Sequence, residues 1–265
     1  MSDGSVELTR PADGLAVVRF TRPEQRNAMN AIARASLIHA LEETRRDGTR
    51  VIVLRGDGPA FCAGIDLKEV AAGAGDPNAL WGPVNAEWRR VQQLIRDHPA
   101  VVIASVNGYA LGGGSTLINV CDLAVAADVA QIGMPEVGFG SYPGIAGPAM
   151  QLRVSPKRAA WLVLTARRID GRTAEEWGVV NRCVPLDELE AETMALARHV
   201  AGFDAATLTW SKRALWQIPG RLSDWEAAVD FGDYTNAQIQ AASSTRDAAL
   251  QSFARGERNQ GQGPA

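Results

Sequence analysis

Apolar positions along the chain follow two periods. "LAVVRF" (15–20) and "RVIVLRG" (50–56) are Val-rich runs bounded by Gly and Pro, and they predict strands. Between them Ile32, Ala35, Ile38 and Leu41 recur at helical spacing, which predicts a helix over 30–46 that stops at Gly48. "AVVIASV" (100–106) is apolar almost throughout, the pattern of a strand buried on both faces. A short helix over about 113–120 and a strand "LAVAAD" (123–128) follow. Ser155 and Pro156 open a helix over 155–166. Thr173 and Glu176 form a capping-box pattern closed by Gly178, and "VVNRCVP" predicts another strand. Beyond about residue 200 no strand pattern remains and 205–256 reads as helices. The chain thus divides into an α/β region, 1–200, and a helical C-terminal region, 201–265, whose last residues have the composition of disorder.

Charge and cysteine usage remove several function classes. The net charge is −3 and no Lys/Arg run stands out, which argues against nucleic acid. No apolar stretch is long enough to span a membrane, and the first ten residues predict no secretory signal. Cys62, Cys121 and Cys183 are odd in number and widely spaced, so neither a disulfide scaffold nor a zinc site is expected and the cytoplasm is the natural setting. His39, His98 and His199 lack metal-ligand spacing and are expected in surface or cap roles. Ser141 in "GSYPG" does not make a G-x-S-x-G elbow, so no Ser-His-Asp hydrolase is expected.

The most informative stretch is "NGYALGGGSTLINVCD" (107–122), where Gly112, Gly113 and Gly114 separate a buried strand from a helix. The plain reading is a tight turn that needs positive φ. The sharper one is that missing side chains let a ligand reach N–H groups at a helix N-terminus, which stabilise negative charge. Neither phosphate-binding glycine motif is present, which leaves an oxyanion hole for a carbonyl that becomes an enolate. A second donor is expected from "GPAFCAGIDLKEV" (58–70), which also follows an apolar strand and turns through Ala63 and Gly64. Cys62 beside it reads as a small buried thiol that packs the turn.

"RPEQRNAMN", "FCAGIDL", "VIASVNGYALGGG", "CDLAVAAD" and "MPEVGFG", in that order and spacing, resemble the crotonase superfamily, the enoyl-CoA hydratase/isomerase fold. The resemblance runs from about residue 6 to beyond 200. It implies an α/β spiral of ββα units with a C-terminal helical region that builds a homotrimer or a dimer of trimers. The implied partner is an acyl-CoA thioester, with coenzyme A arriving as part of the substrate and no separate cofactor or metal. The resemblance assigns the oxyanion donors to the N–H groups of Ile65 and Gly113. It assigns the acyl-CoA surface to Arg26, Ala28, Ala63, Asp66 and Leu67, with Arg26 near phosphate.

Hydratases of that family carry two glutamates, and this chain has Thr116 at the first position and Glu136 at the second. Hydration uses two carboxyl groups on one water, whereas a 1,3-proton shift needs only one, so double-bond isomerisation is expected over efficient hydration. Hydroxycinnamoyl-CoA hydratase-lyases are a second precedent. They resemble the chain at "AGxDLKE", at a small hydroxyl residue aligned with Thr116, at Glu136 and near Tyr234, but one of their tyrosines falls at Val70 here. A third possibility is an acyl-CoA binder with little catalysis. Without the resemblance, Glu136 reads as a solvated carboxylate and Tyr234 as a core tyrosine. "DPNALWGPVNAEWRR" (76–90), with Trp81 and Trp88, predicts a mobile flap over the acyl pocket, and Trp210, Trp216, Trp225, Phe231 and Tyr234 predict a subunit interface.

Overall fold

The computed structural model describes residues 5–72, 77–144, 146–221, 224–243 and 245, with backbone alone for 70–72, 77–83, 220 and 221. In chain order the elements are Val6–Ala12 (β1), Leu15–Phe20 (β2), Ala31–Arg46 (α1), Val51–Gly56 (β3), Ala60–Cys62 (β4), Leu67–Ala72 (α2) and Pro77–Arg96 (α3). Then come Val101–Val106 (β5), Tyr109–Leu111 (β6), Gly113–Val120 (α4), Leu123–Ala127 (β7), Gln131–Gly133 (β8) and a 3-10 turn Glu136–Phe139. The chain continues through Gly147–Gln151 (α5), Pro156–Thr165 (α6), Arg168–Ile169 (β9), Gly171–Trp177 (α7) and Arg182–Val184 (β10). It finishes with Leu189–Ala201 (α8), Ala205–Arg221 (α9) and Trp225–Ala242 (α10).

Two sheets share one core. The larger has the order β1-β2-β3-β5-β7-β10 and the smaller β4-β6-β8-β9. Among the described residues, β1–β2 and β8–β9 are the antiparallel pairs. Three of the parallel strands of the larger sheet are each followed at once by a short strand of the second sheet: β3–β4, β5–β6 and β7–β8. Helices then return the chain to the first sheet, which makes a spiral of ββα turns. All six residues of β5 are buried, as its unbroken apolar run requires of a central strand. Asn30 caps α1 by accepting from the Ala33 N–H at 2.9 Å.

The structure corrects two sequence expectations, the cap of α7 and the place of His98. The cap of α7 is Asp170, which accepts from the Thr173 N–H at 2.8 Å, so Thr173 lies inside the helix. Residues 77–90 belong to helix α3, and Trp88 on it is buried in the core. The Trp81 and Val70 side chains and residues 246–265 lie outside the described ones. His98 is a buried connector and neither a surface nor a cap residue. Its Nδ1 accepts from the Ala100 N–H at 3.0 Å, Nε2 lies 3.0 Å from the Leu41 carbonyl, and burial pushes its pKa down to about 4.

The helical tail begins as part of its own core. Lys212 on α9 is 4% exposed, donates to the carbonyls of Ile95 and Ala100 at 2.8 Å each, and pairs with Asp122 at 2.7 Å. Removing one partner from such a buried pair costs about 3–5 kcal/mol. Trp216 adds an indole N–H bond to Asp122 at 3.0 Å. Beyond α9 the character changes: in α10 only Thr235 is buried, and Trp225, Val229 and Tyr234 are exposed. Among the described residues no helix is long and apolar enough to cross a membrane.

Candidate active site

Strands β4, β6 and β8 run parallel and adjacent, so the segments leaving their carboxyl ends converge. Those segments are 63–65, 112–114 and 134–136. The crevice beyond the carboxyl ends of parallel strands is the usual place for a ligand.

The first segment is turned by Gly64 at φ +90°. A parallel bridge then pairs Ile65 with Met29, using the bonds Met29 N–H to Gly64 O at 2.8 Å and Asp66 N–H to Met29 O at 3.2 Å. Such a bridge leaves the N–H of Ile65 itself pointing to the opposite side. A Cβ on Gly64 would lie 3.0 Å from the Gly113 nitrogen. Bond lengths then bring the Ile65 nitrogen to within about 7 Å of it. Gly113 is the first residue of α4, where N–H groups have no partner in the helix and the macrodipole is positive.

Each glycine of the triplet has a different reason. Gly112 has φ +52°, and a Cβ there would come within 2.8 Å of the Glu136 Oε1. A Cβ on Gly113 would lie 2.8 Å from the Trp88 ring. A Cβ on Gly114 would lie 1.8 Å from the Cys62 carbonyl oxygen. The run is therefore a turn, a close contact with the Trp88 ring at the start of α4 and a helix–strand contact in succession. Cys62 is the buried packing thiol that was expected; desolvation pushes its pKa up to about 12.

A cavity of about 280 Å³ opens here, lined by Ile65, Asn85, Trp88, Gly113, Thr116, Glu136, Ser141, Tyr142, Pro143, Gly144 and Ala146. All four residues expected to do the chemistry line it. Glu136 is half-buried, and its Oε2 is enclosed with no hydrogen-bond partner among the described residues. Burial raises its pKa, against a smaller lowering by its own backbone N–H. The Thr116 hydroxyl is buried and donates to the Gly112 carbonyl at 3.2 Å, the back-bond to position i−4 that a helical threonine favours.

A second cavity of about 320 Å³ shares Ile65 with the first and is lined by Arg26, Ala28, Ala63, Asp66 and Leu67, together with Glu24, Gln25 and Lys68. Asn27 shapes it from beneath, with Nδ2 donating to the carbonyls of Asp57 at 2.9 Å and Ala60 at 2.7 Å. These bonds hold Arg26 and Asn27 in left-handed backbone at φ 50° and 54°. Asp66 is not free: Arg22 pairs with it at 3.1 Å. Tyr234 is the expected site residue that lines neither cavity. It sits on α10, 49% exposed, with its ring 6.1 Å from Trp210 and 5.9 Å from Phe231, where α10 packs on α9.

Asn85 and Tyr142 were missed. Asn85 stands three positions before Trp88 on one helix face, a signal hidden when the stretch is read as a flap known by its tryptophans. Tyr142 is the aromatic of a Gly/Pro-rich loop directly after Glu136, and its Oη accepts from Gln151 Nε2 at 2.6 Å.

The sequence model of one protein family, described as Enoyl-CoA hydratase/isomerase, matches residues 10–217. The chain is 35% identical over 226 residues to a hydroxycinnamoyl-CoA hydratase-lyase of Pseudomonas fluorescens, covering 83% of this chain and 80% of that protein. Its fold is similar to the crystal structure of an enoyl-CoA hydratase of Mycobacterium smegmatis, with a TM-score of 0.90 at 27% identity, covering 97% of this chain and 98% of that one. A monofunctional enoyl-CoA isomerase of M. smegmatis matches with a TM-score of 0.72 at 28% identity, covering 85% of this chain and 98% of the other.

Proposed function

The chain belongs to the enoyl-CoA hydratase/isomerase family, and we propose that within it the chain moves the double bond of an unsaturated acyl-CoA thioester with Glu136 as the single proton carrier. One observation carries this reading: among the described residues, Glu136 is the one carboxylate lining the cavity, and a back-bonded threonine stands where a second would be.

The thioester oxygen receives the N–H groups of Ile65 and Gly113, which favours the enolate. Each such donor is worth about 10²–10³ in rate. Glu136 takes a proton from the carbon next to the thioester and returns it two carbons further on. Its raised pKa makes it a stronger base than a solvated carboxylate. The CoA portion runs along Arg26, Ala28, Ala63, Asp66 and Leu67. Thr116 has no proton to lose at neutral pH, and its own donor already serves Gly112.

Thr116→Glu tests the division of labour. It is expected to raise hydration of a simple 2-enoyl-CoA relative to isomerisation, by up to about 10²-fold, the lower end of what one acid–base group contributes. Assays on 2-enoyl- and 3-enoyl-CoA read both reactions. A folded, CoA-binding variant that gains no hydration would remove the missing carboxylate as the reason for the preference.

An aromatic acyl group is the second reading, supported by the likeness to the hydroxycinnamoyl-CoA enzyme and by Trp88 and Tyr142 in the cavity wall. Turnover of cinnamoyl-type thioesters in preference to alkyl ones selects it. Tight CoA binding without turnover of any thioester selects a binding protein instead. The exposed apolar groups of α10 are assigned to a neighbouring copy. Light scattering is expected to give a trimer or hexamer, and a monomer at micromolar concentration would contradict that assignment.

A further inference from the structure

Arg34 on α1 is 2% exposed. A guanidinium so far from water is costly unless its N–H groups find acceptors. Its Nε donates to Glu87 Oε2 at 2.6 Å, Nη1 to Glu69 Oε2 at 2.9 Å and to the Met29 carbonyl at 2.8 Å, and Nη2 to Glu69 Oε1 at 3.4 Å. Glu69 also accepts from the Ala31 N–H at 3.1 Å, at the first turn of α1. The acceptors come from three segments: the stretch before α1, then α2, then α3. The carboxylates are partly exposed, 27% for Glu69 and 37% for Glu87, so the buried guanidinium is tied to two helices at the rim of the core.

The acceptors lead to both proposed oxyanion donors. Met29, whose carbonyl Arg34 holds, is the residue bridged to Ile65. Glu87 directly precedes Trp88, whose ring lies so close to Gly113 that a Cβ there would be 2.8 Å from it. We infer that Arg34 is a positioning residue of the oxyanion hole, clamping residues 29–31, α2 and α3 so that the Ile65 and Gly113 N–H groups keep the spacing an enolate oxygen needs. The inference rests on the enolate reading of the site. Lysine cannot replace the residue, because one ammonium lacks the planar fork that reaches all three acceptors at once.

The test compares wild type, Arg34→Lys and Glu87→Gln, with acetoacetyl-CoA and free coenzyme A as probes. Acetoacetyl-CoA is a β-keto thioester, and the ultraviolet absorbance of its enolate reports on the hole without any turnover. Wild type is expected to enrich the bound enolate. Arg34→Lys is expected to lower that enrichment, and kcat on an enoyl-CoA, by about tenfold or more, since small misplacements at a reacting centre cost that much. Its affinity for free coenzyme A is expected to fall by less than the enolate enrichment does, a split that loss of stability alone does not produce. Glu87→Gln keeps an acceptor for Nε and is expected to lose less than Arg34→Lys. A folded Arg34→Lys with wild-type enolate absorbance overturns the inference. If that variant does not fold, Glu87→Gln decides: a reduced enolate signal supports the inference and an unchanged one overturns it. Wild type that shows no bound enolate sinks the oxyanion-hole reading itself, and the inference falls with it.

Discussion

Glu136→Gln is expected to lower turnover by about 10²–10⁴-fold, the share that a positioned acid–base group contributes, while free coenzyme A binds as before. Glutamine keeps the shape and one acceptor oxygen but cannot take the proton. The cavity proposed for coenzyme A has, among the described residues, Ile65 alone in common with the one that Glu136 lines, so the substitution leaves its walls in place. In the wild type, activity should fall on the acid side of a pKa above the usual carboxylate value of 4.5, because burial favours the neutral carboxyl. Stability should move the other way. Between 4.5 and the raised native value the folded state holds a proton that the unfolded state has released, so folding weakens as pH rises through that window. Glu136→Gln removes this penalty. It should melt above wild type at neutral pH, and the difference should vanish below both values. Thermal melts at several pH values together with steady-state kinetics read both effects. Wild-type turnover in the variant would move the base elsewhere.

Gly114→Ala is expected to be the most damaging single-methyl change in the site. The new Cβ would meet the Cys62 carbonyl oxygen at 1.8 Å and its carbon at 2.7 Å, both backbone atoms that no rotamer change can move aside. Strand β4 and helix α4 must separate, at a cost near or above the upper end of ordinary overpacking, about 3 kcal/mol. In a chain of this size that lowers the melting temperature by roughly 6–12 °C. The same separation pulls apart the segments carrying Ile65 and Gly113, and about 10²-fold in kcat should go with it. Gly138→Ala is the control, since a Cβ there meets nothing within 4 Å. If Gly114→Ala melts and turns over like wild type, the close approach of α4 to β4 is not what the glycine serves.

Local patterns in the sequence were enough for several of the longer elements, but not for β1 or for the 20 residues of α3. The helix of α1, the doubly buried β5 and the strand-free tail follow from spacing and composition, because those signals need no partner. Motif order carried the family resemblance and with it Ile65, Gly113, Thr116 and Glu136, which the fold gathers around one cavity. The second sheet was implied only by that resemblance. Strands β4, β6 and β8 have three residues each and β9 has two, too few for a period, and they exist through pairing with one another across long stretches of chain. Contacts of that kind decided the remaining details: which glycine faces Glu136, Trp88 or Cys62, where the Thr116 hydroxyl donates, why His98 is buried, and that Tyr234 sits on Trp210 away from the cavity. Arg34 is the sharpest case. In the sequence it is one more charge on an amphipathic helix, and only the folding of α2 and α3 over α1 encloses it among Met29, Glu69 and Glu87, beyond the reach of water.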